Sequence, residues 1–327
     1  TTMTYLENSK QYTGSDLENI FFRPMLTGES AQDLGVRVLY NMPQPTHVQL
    51  WDGQRNILQK FTSAGWAGGK AATKYEKTVN LNRVKAELGF SAANYFSMVY
   101  EKVSSLVNTH MDDLSGTELE QAETALFKQA LAENIRVTMW IGDTSAASGY
   151  NTFDGLLKRI NGLVDDDGVY NFSYQAAALE DPAYAVELFD KLWAGADPRI
   201  PGLKADDRLA YFVSSDIYRL YEKYLDAKGA DAAYADAMNG RRTLAYHGIP
   251  VVDVRLGSYL GATSFRQSFV MLTDRRNLVL AVNTADMPGN EVRMWYNPDE
   301  MENRQRAVFM AGTQILDEAL ISFAYKQ

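Results

Sequence analysis

The chain carries three histidines, His47, His110 and His247, and no cysteine. Disulfides, thiolate metal sites and thiol nucleophiles are therefore excluded. The histidines lie far apart in sequence. None belongs to an H-E-x-x-H pattern, the spacing that puts two imidazoles on one helical face for zinc. Each is read as a structural or surface histidine. The segment Ala64-Gly65-Trp66-Ala67-Gly68-Gly69-Lys70-Ala71 approaches a phosphate-binding loop, in which backbone amides cradle phosphate oxygens. Ala64 stands where the first glycine belongs, and Ala71 replaces the Mg-binding hydroxyl, so a Gly-rich hairpin tip is the reading. Asp165-Asp166-Asp167-Gly168 invites calcium. With Gly168 at loop position six, Leu163 and Tyr174 fall at positions one and twelve, and neither supplies a carboxylate. A solvated turn remains. No G-x-S-x-G elbow marks a serine nucleophile. The sequence names no catalytic, cofactor-binding or metal-ligating residue and no cofactor.

What could hold such residues is nonetheless substantial. At 327 residues the chain can form one large domain or two ordinary ones. Hydrophobic content of 46% and charged content of 22% are those of a globular protein. The 19 tyrosines suit interfaces, since Tyr covers much area at little entropic cost, and they suit half-buried strand positions equally. A net charge of -9 argues against a dedicated nucleic-acid binder, which would show a basic stripe. No run reaches the ~18 apolar residues of a membrane span. The opening Thr1-Thr2-Met3-Thr4-Tyr5 has neither the basic nor the apolar region of a signal peptide. It leaves removal of an initiator Met and cleavage of an upstream segment both open.

Along the chain, residues 1–42 are polar, with apolar anchors at Ile20, Phe21, Phe22, Met25 and Leu26. Pro24, Pro43 and Pro45 interrupt regular structure. This stretch reads as an extended arm lying on something else, or as a lead-in packed on its own domain. Thr46–Trp51 and 78–84 alternate as half-buried strands do. The polar, Gly-rich 52–77 between them reads as a long hairpin with a flexible tip. From Asn94 the period becomes helical through Tyr95, Met98, Val99, Val103, Leu106, Val107 and His110. Ser115-Gly116-Thr117-Glu118 is a capping box opening a second helix, whose stripe runs to Ile135 and which Gly142 ends. Asp181-Pro182 starts a helix to about Trp193. Asp197–Gly202 reads as a rigid loop and Leu209–Val213 as an apolar strand. A helix from Ser215 closes at Gly229, and Tyr246–Val252 reads as a strand. Ser268–Val282 gives two strands joined through Asp274–Asn277. Glu291–Tyr296 and 306–325 are strand-like. Helices and strands mix without a regular βαβ rhythm, so the class is α+β.

Taken in order, the strand-like Leu81–Phe90, the long helix ending at Arg136-Val137-Thr138-Met139-Trp140-Ile141, the turn Gly142-Asp143 and the segment Phe153-Asp154-Gly155-Leu156-Leu157 resemble the HK97-like major capsid proteins of tailed bacteriophages. Tyr246-His247-Gly248-Ile249-Pro250-Val251 is similar to that family's "GIPV" strand, and Asn277–Ala281 to the strand after it. The resemblance spans about Leu34 to Tyr325. It departs at Gly155-Leu156-Leu157, where "GIL" is commoner, and at a break in the spine near 113–116.

The resemblance implies an N-terminal arm (1–45), an extended hairpin loop with flanking strands (46–93), a spine helix and peripheral domain (94–169), a mixed axial domain (170–286) and C-terminal strands returning to the peripheral domain (287–327). It implies a structural protein, not an enzyme. Copies would assemble as pentamers and hexamers into an icosahedral shell in the host bacterial cytoplasm and enclose double-stranded DNA without specific grip. Portal, scaffold and decoration proteins are the further partners it implies, and no membrane is involved. Some members link a hairpin Lys to a neighbour's Asn. Lys60, Lys70, Lys74 and Lys77 are present, but that chemistry is confined to a subset and is not expected here. Two other readings stay open: an encapsulin-like compartment shell on the same fold, and a soluble α+β enzyme using carboxylates.

Overall fold

The computed structural model describes residues 10–26, 35–40, 42, 46–51, 74–91, 118–229, 234–235, 243–257, 259, 265–266, 268–283, 290–300 and 302–327. The first helix expected, 94–110, its neighbouring cap at Ser115 and the hairpin tip with Gly65–Lys70 lie outside these residues, as do His110 and residues 1–9. The strands are β1 (Lys10–Tyr12), β2 (Arg37–Tyr40), β3 (Thr46–Trp51), β4 (Lys74–Val79), β5 (Asn82–Ser91), β6 (Tyr170–Tyr174), β7 (Leu209–Val213), β8 (Tyr234–Ala235), β9 (Thr243–Tyr246), β10 (Ile249–Asp253), β11 (Phe269–Asp274), β12 (Leu278–Asn283), β13 (Glu291–Asn297), β14 (Glu302–Ile315) and β15 (Ser322–Lys326).

They form two large sheets and one hairpin. In the first sheet the order is β1-β13-β14-β12-β2, with β5 along the other side of β14. In the second it is β6-β15-β11-β7-β10-β9-β8. The hairpin is β3 with β4, paired from Thr46 opposite Val79 to Trp51 opposite Lys74, as the alternating pattern implies.

The helix Glu118–Ile141 lies between the two sheets. Its buried Phe127, Leu131, Ile135, Met139 and Trp140 share one core with Phe309 and Ala307 of the first sheet and with Phe212 and Met271 of the second. The Trp140 ring stands 5.6 Å from Phe212 and 6.1 Å from Phe269. The other face of the second sheet, Tyr211, Val213, Val270 and Leu272, packs on the helices Tyr184–Ala194 and Ser215–Ala227. Strands buried on both faces should read as unbroken apolar runs, and Leu209-Ala210-Tyr211-Phe212-Val213 does so. β14 alternates instead, Asn303, Gln305, Ala307, Phe309 and Ala311 being buried and the residues between them half-buried.

Several expectations are corrected. Residues 10–26 are not a free arm. β1 pairs with β13, and Leu17, Phe21, Phe22 and Leu26 are sealed in the same chain's main core. Pro24 lies in the last turn of a continuous helical run over 14–25. β2 pairs in parallel with β12. The alternating run 78–84 is two strands, broken at Asn80-Leu81, where Gly312 comes so close to Asn80 that a Cβ would meet its carbonyl oxygen at 2.2 Å. The loop at Asp197 already turns into the helix Ile200–Ala205, with Pro201 in its first turn. The run Tyr246–Val252 is not one strand. His247 and Gly248 have φ of 49° and 80°, a two-residue hairpin turn of type I′ joining β9 to β10.

The chain changes sheets twice near its C-terminal end. β11 lies in the second sheet and β12 in the first; β14 lies in the first and β15 in the second. The division between sheets therefore does not fall at residue 286. Buried Asn277 ties both crossings together. Its side chain accepts from the Asp317 amide at 2.7 Å and donates to the Asp317 carbonyl at 2.8 Å.

Candidate assembly surfaces

Two of the segments that carry the sequence resemblance, 136–143 and 153–157, meet at one seam. Where the helix Glu118–Ile141 ends, Gly142 donates its amide to the Thr138 carbonyl, and Gly155 returns to donate to the Gly142 carbonyl at 2.8 Å. A Cβ on Gly155 would lie 2.6 Å from the Gly142 nitrogen and 2.7 Å from the Trp140 carbonyl oxygen. On Gly142 it would lie 2.2 Å from the Phe153 carbonyl oxygen. Only glycines let these backbones touch. The loop between them is pinned by charge. Lys158 reaches Asp143 at 2.8 Å and Asp154 at 2.7 Å, and Asp154 also accepts from the Thr144 amide. Hydrogen bonding from Lys158, then from Ser145, holds Asp143 down to about 2. Arg136, buried, donates to the carbonyls of Val254 and Arg255 and pairs with Glu133 at 2.6 Å, which fastens the long helix to the strand end after β10. That bonding lowers the Glu133 pKa.

The base of the hairpin covers part of the first sheet's outer face. Val48, Val79 and Leu81 pack on Val279, Ala281 and Leu316. Lys77 is ion-paired with Glu318. The rest of that face is solvated and charged. The guanidinium groups of Arg293 and Arg306, cross-strand partners, each stand 5.7 Å from the Trp295 ring, and Arg306 pairs with Glu291 at 2.5 Å. On the inner side a groove of about 510 Å³ runs between β5 and the long helix, lined by Val84, Leu88, Phe127, Leu131, Ile135 and Tyr150 among others.

At the far end of the second sheet, Tyr246 donates to Asp190 at 2.7 Å, and its ring lies 5.1 Å from Phe189. Burial, then that carboxylate, raises the Tyr246 pKa; burial pushes Tyr221 up to about 12. Tyr246 and Asp190, with Trp193, Lys204, Tyr211 and His247, border a hollow of about 260 Å³. His247 is thus a turn residue. The acidic turn is exposed and closes a helix, Leu156–Asp165: Asp167 has φ of 52° and Gly168 donates back to the Leu163 carbonyl at 2.7 Å. Among the described residues no group of three or more His, Asp and Glu is arranged to hold a metal, and no helix is long and apolar enough to cross a membrane. Sequence reasoning passed over Arg136, Asn277 and Asp317. Each has a partner 40 or more positions away, Val254 for Arg136 and each other for Asn277 and Asp317, and nothing local in the sequence points to it.

Comparison with solved structures settles the architecture. A chain of the procapsid of satellite phage P4, a particle that includes the size determination (Sid) protein, matches with a TM-score of 0.55 and 11% identity, over 94% of this chain and 90% of that one. The fold is an HK97-like capsid fold. A chain from Gordonia phage Cozz (TM-score 0.47, 12% identity, 89% of this chain and 84% of that one) and one from the capsid of cyanophage P-SCSP1u (0.47, 12%, 96% and 95%) align over similar spans, and at those scores add no weight. No family model and no curated protein matches the chain. In this HK97-like chain the glycine seam ends the spine helix, and the hairpin base rests on the sheet outside it.

Proposed function

We propose that the chain is the major shell-building subunit of a tailed-phage head, structural and not catalytic, whose copies gather as pentamers and hexamers into a closed icosahedral wall around double-stranded DNA. The observation that carries this reading is the capsid fold, matched over 94% of the chain. The acidic balance supports a wall that holds DNA without gripping it. Closed shells need heterologous contacts that repeat by symmetry, and many modest contacts together give large avidity. In this reading the first sheet and spine helix make the peripheral part, and the second sheet with its outer helices makes the axial part. Portal, scaffold and decoration proteins would be partners of the assembled head, formed in a bacterial cytoplasm.

Electron microscopy of the purified chain, with light scattering for mass, tests the reading. Closed particles, pentamers or hexamers are expected, and nuclease-protected DNA inside particles from infected cells. Particles filled with a protein cargo would instead favour a compartment shell. Monomers of 36.6 kDa under all conditions would sink both.

A further inference from the structure

Among the described residues β5 is bonded along one edge only, to β14. It is ten residues long, whereas the other outermost strands, β1, β2, β6 and β8, run from two to five. A long open edge presents a row of amide and carbonyl groups suited to pairing with another strand. The side chains beside that edge are ordered. Val84, Ala86 and Leu88 face the groove and the long helix, and Leu88 is 37% exposed. Arg83, Lys85 and Glu87 face solvent on the other side, with Lys85 and Glu87 ion-paired at 2.9 Å.

The pattern Val84-Lys85-Ala86-Glu87-Leu88 is complementary to itself when reversed. In an antiparallel pair directly opposed residues share a face, so only registers that match the two faces keep the groove side apolar. Centring the pair on Lys85 sets Lys85 against Lys85; it also sets Arg83 against Glu87 twice, but leaves the apolar Leu88 opposite Asn82. Centring it on Glu87 sets Glu87 against Glu87. Centring it on Ala86 sets Lys85 against Glu87 twice and Val84 against Leu88 twice. Opposed unlike charges and apolar pairs stabilise cross-strand contacts, and like charges oppose them. We propose that two copies of this chain join β5 to β5, antiparallel, about a two-fold axis at Ala86, making one continuous sheet from the two first sheets. The contact is self-complementary, as a two-fold requires. It closes the open edge and covers Leu88 with the second copy's Val84. It rests on the self-assembly reading and names one surface for it.

Because the chain has no cysteine, a single engineered one reports directly. Opposed Cα atoms lie about 4.5–5.5 Å apart, within disulfide reach. In the full chain, Ala86→Cys is expected to form a covalent dimer on mild oxidation, in solution and in particles. Arg83→Cys, whose copies would lie about 20 Å apart at 3.4 Å per residue, is expected to stay unlinked. Ala86→Cys that stays monomeric, or links no faster than Arg83→Cys, overturns the proposal. Should Ala86→Cys melt below the unmodified chain, two charge variants carry the test. Lys85→Glu should lower dimer formation several-fold, and Lys85→Glu with Glu87→Lys should restore it; no loss, or no restoration, overturns it. An unmodified chain that never forms particles sinks the shell reading. Particles whose Ala86→Cys stays unlinked sink this contact alone.

Discussion

The two sheets divide the work differently. The second is an interior layer: every residue of β7 and β11 is buried, with the spine helix on one face and the helices Tyr184–Ala194 and Ser215–Ala227 on the other. The first buries its inner face; its outer face is covered at β12 by the hairpin base and elsewhere offers Arg293, Trp295, Arg304 and Arg306 to solvent. Burial on both faces leaves no room for a change of partner, so the second sheet serves the fold. One-sided burial along β13 and β14 leaves half of each strand uncovered.

The comparison is most sharply tested in the core. Phe212→Ala removes a fully buried ring from the inner layer and should cost about 3–5 kcal/mol in chemical denaturation. Val308→Ser, on the outer face of β14, should cost about 1 kcal/mol or less while altering assembly. Equal costs would break the distinction. Next comes the seam between the sheets. Gly155→Ala drives a methyl into backbone atoms on three sides, none of them the end of a flexible side chain, and should cost about 3 kcal/mol. A variant with unchanged denaturation midpoint would show that the seam can open.

A smaller effect is expected in acid. Lys158 and Ser145 hold the folded Asp143 at about 2, below the ordinary ~3.9 of an unfolded aspartate. A depressed carboxylate adds stability that is fully present above about pH 4 and lost as pH falls toward 2. Asp143→Asn should flatten the stability curve of the chain in that window and leave its slope at neutral pH alone; an unchanged acid limb would contradict the role given to Lys158. The smallest effect lies at the rim of the second sheet. His247 holds φ of 49°, a conformation Asn adopts more readily. His247→Asn should raise stability by about 0.5 kcal/mol, seen as a small rise in Tm, and a fall would mean that the imidazole's 4.3 Å contact with Tyr246 matters more than the turn.

Much of this was legible in the residues. Leu209–Val213 announced a strand buried on both faces, Thr46–Trp51 a hairpin arm, and Gly142 the end of the spine, because period and punctuation are local properties. The class and the capsid resemblance rested on the order of such elements. Other features read wrongly for a physical reason. Polar residues 10–26 looked like an arm because their few apolar anchors, Leu17, Phe21, Phe22 and Leu26, find their partners near residues 128, 294 and 309, far along the chain. His247-Gly248 passed as strand because Asn-Gly or Asp-Gly is the stronger turn signal.

The sequence by itself determined the class, the order of the clearest elements and the absence of thiol chemistry. Only the tertiary structure decided which sheet each strand joins, that Asn277 and Asp317 hold both crossings, and that β5, among the described residues, is bonded along one edge only. Strand partnership is set by long-range hydrogen bonds and by which face meets the helix, and a run of residues carries neither until the chain has closed around its core.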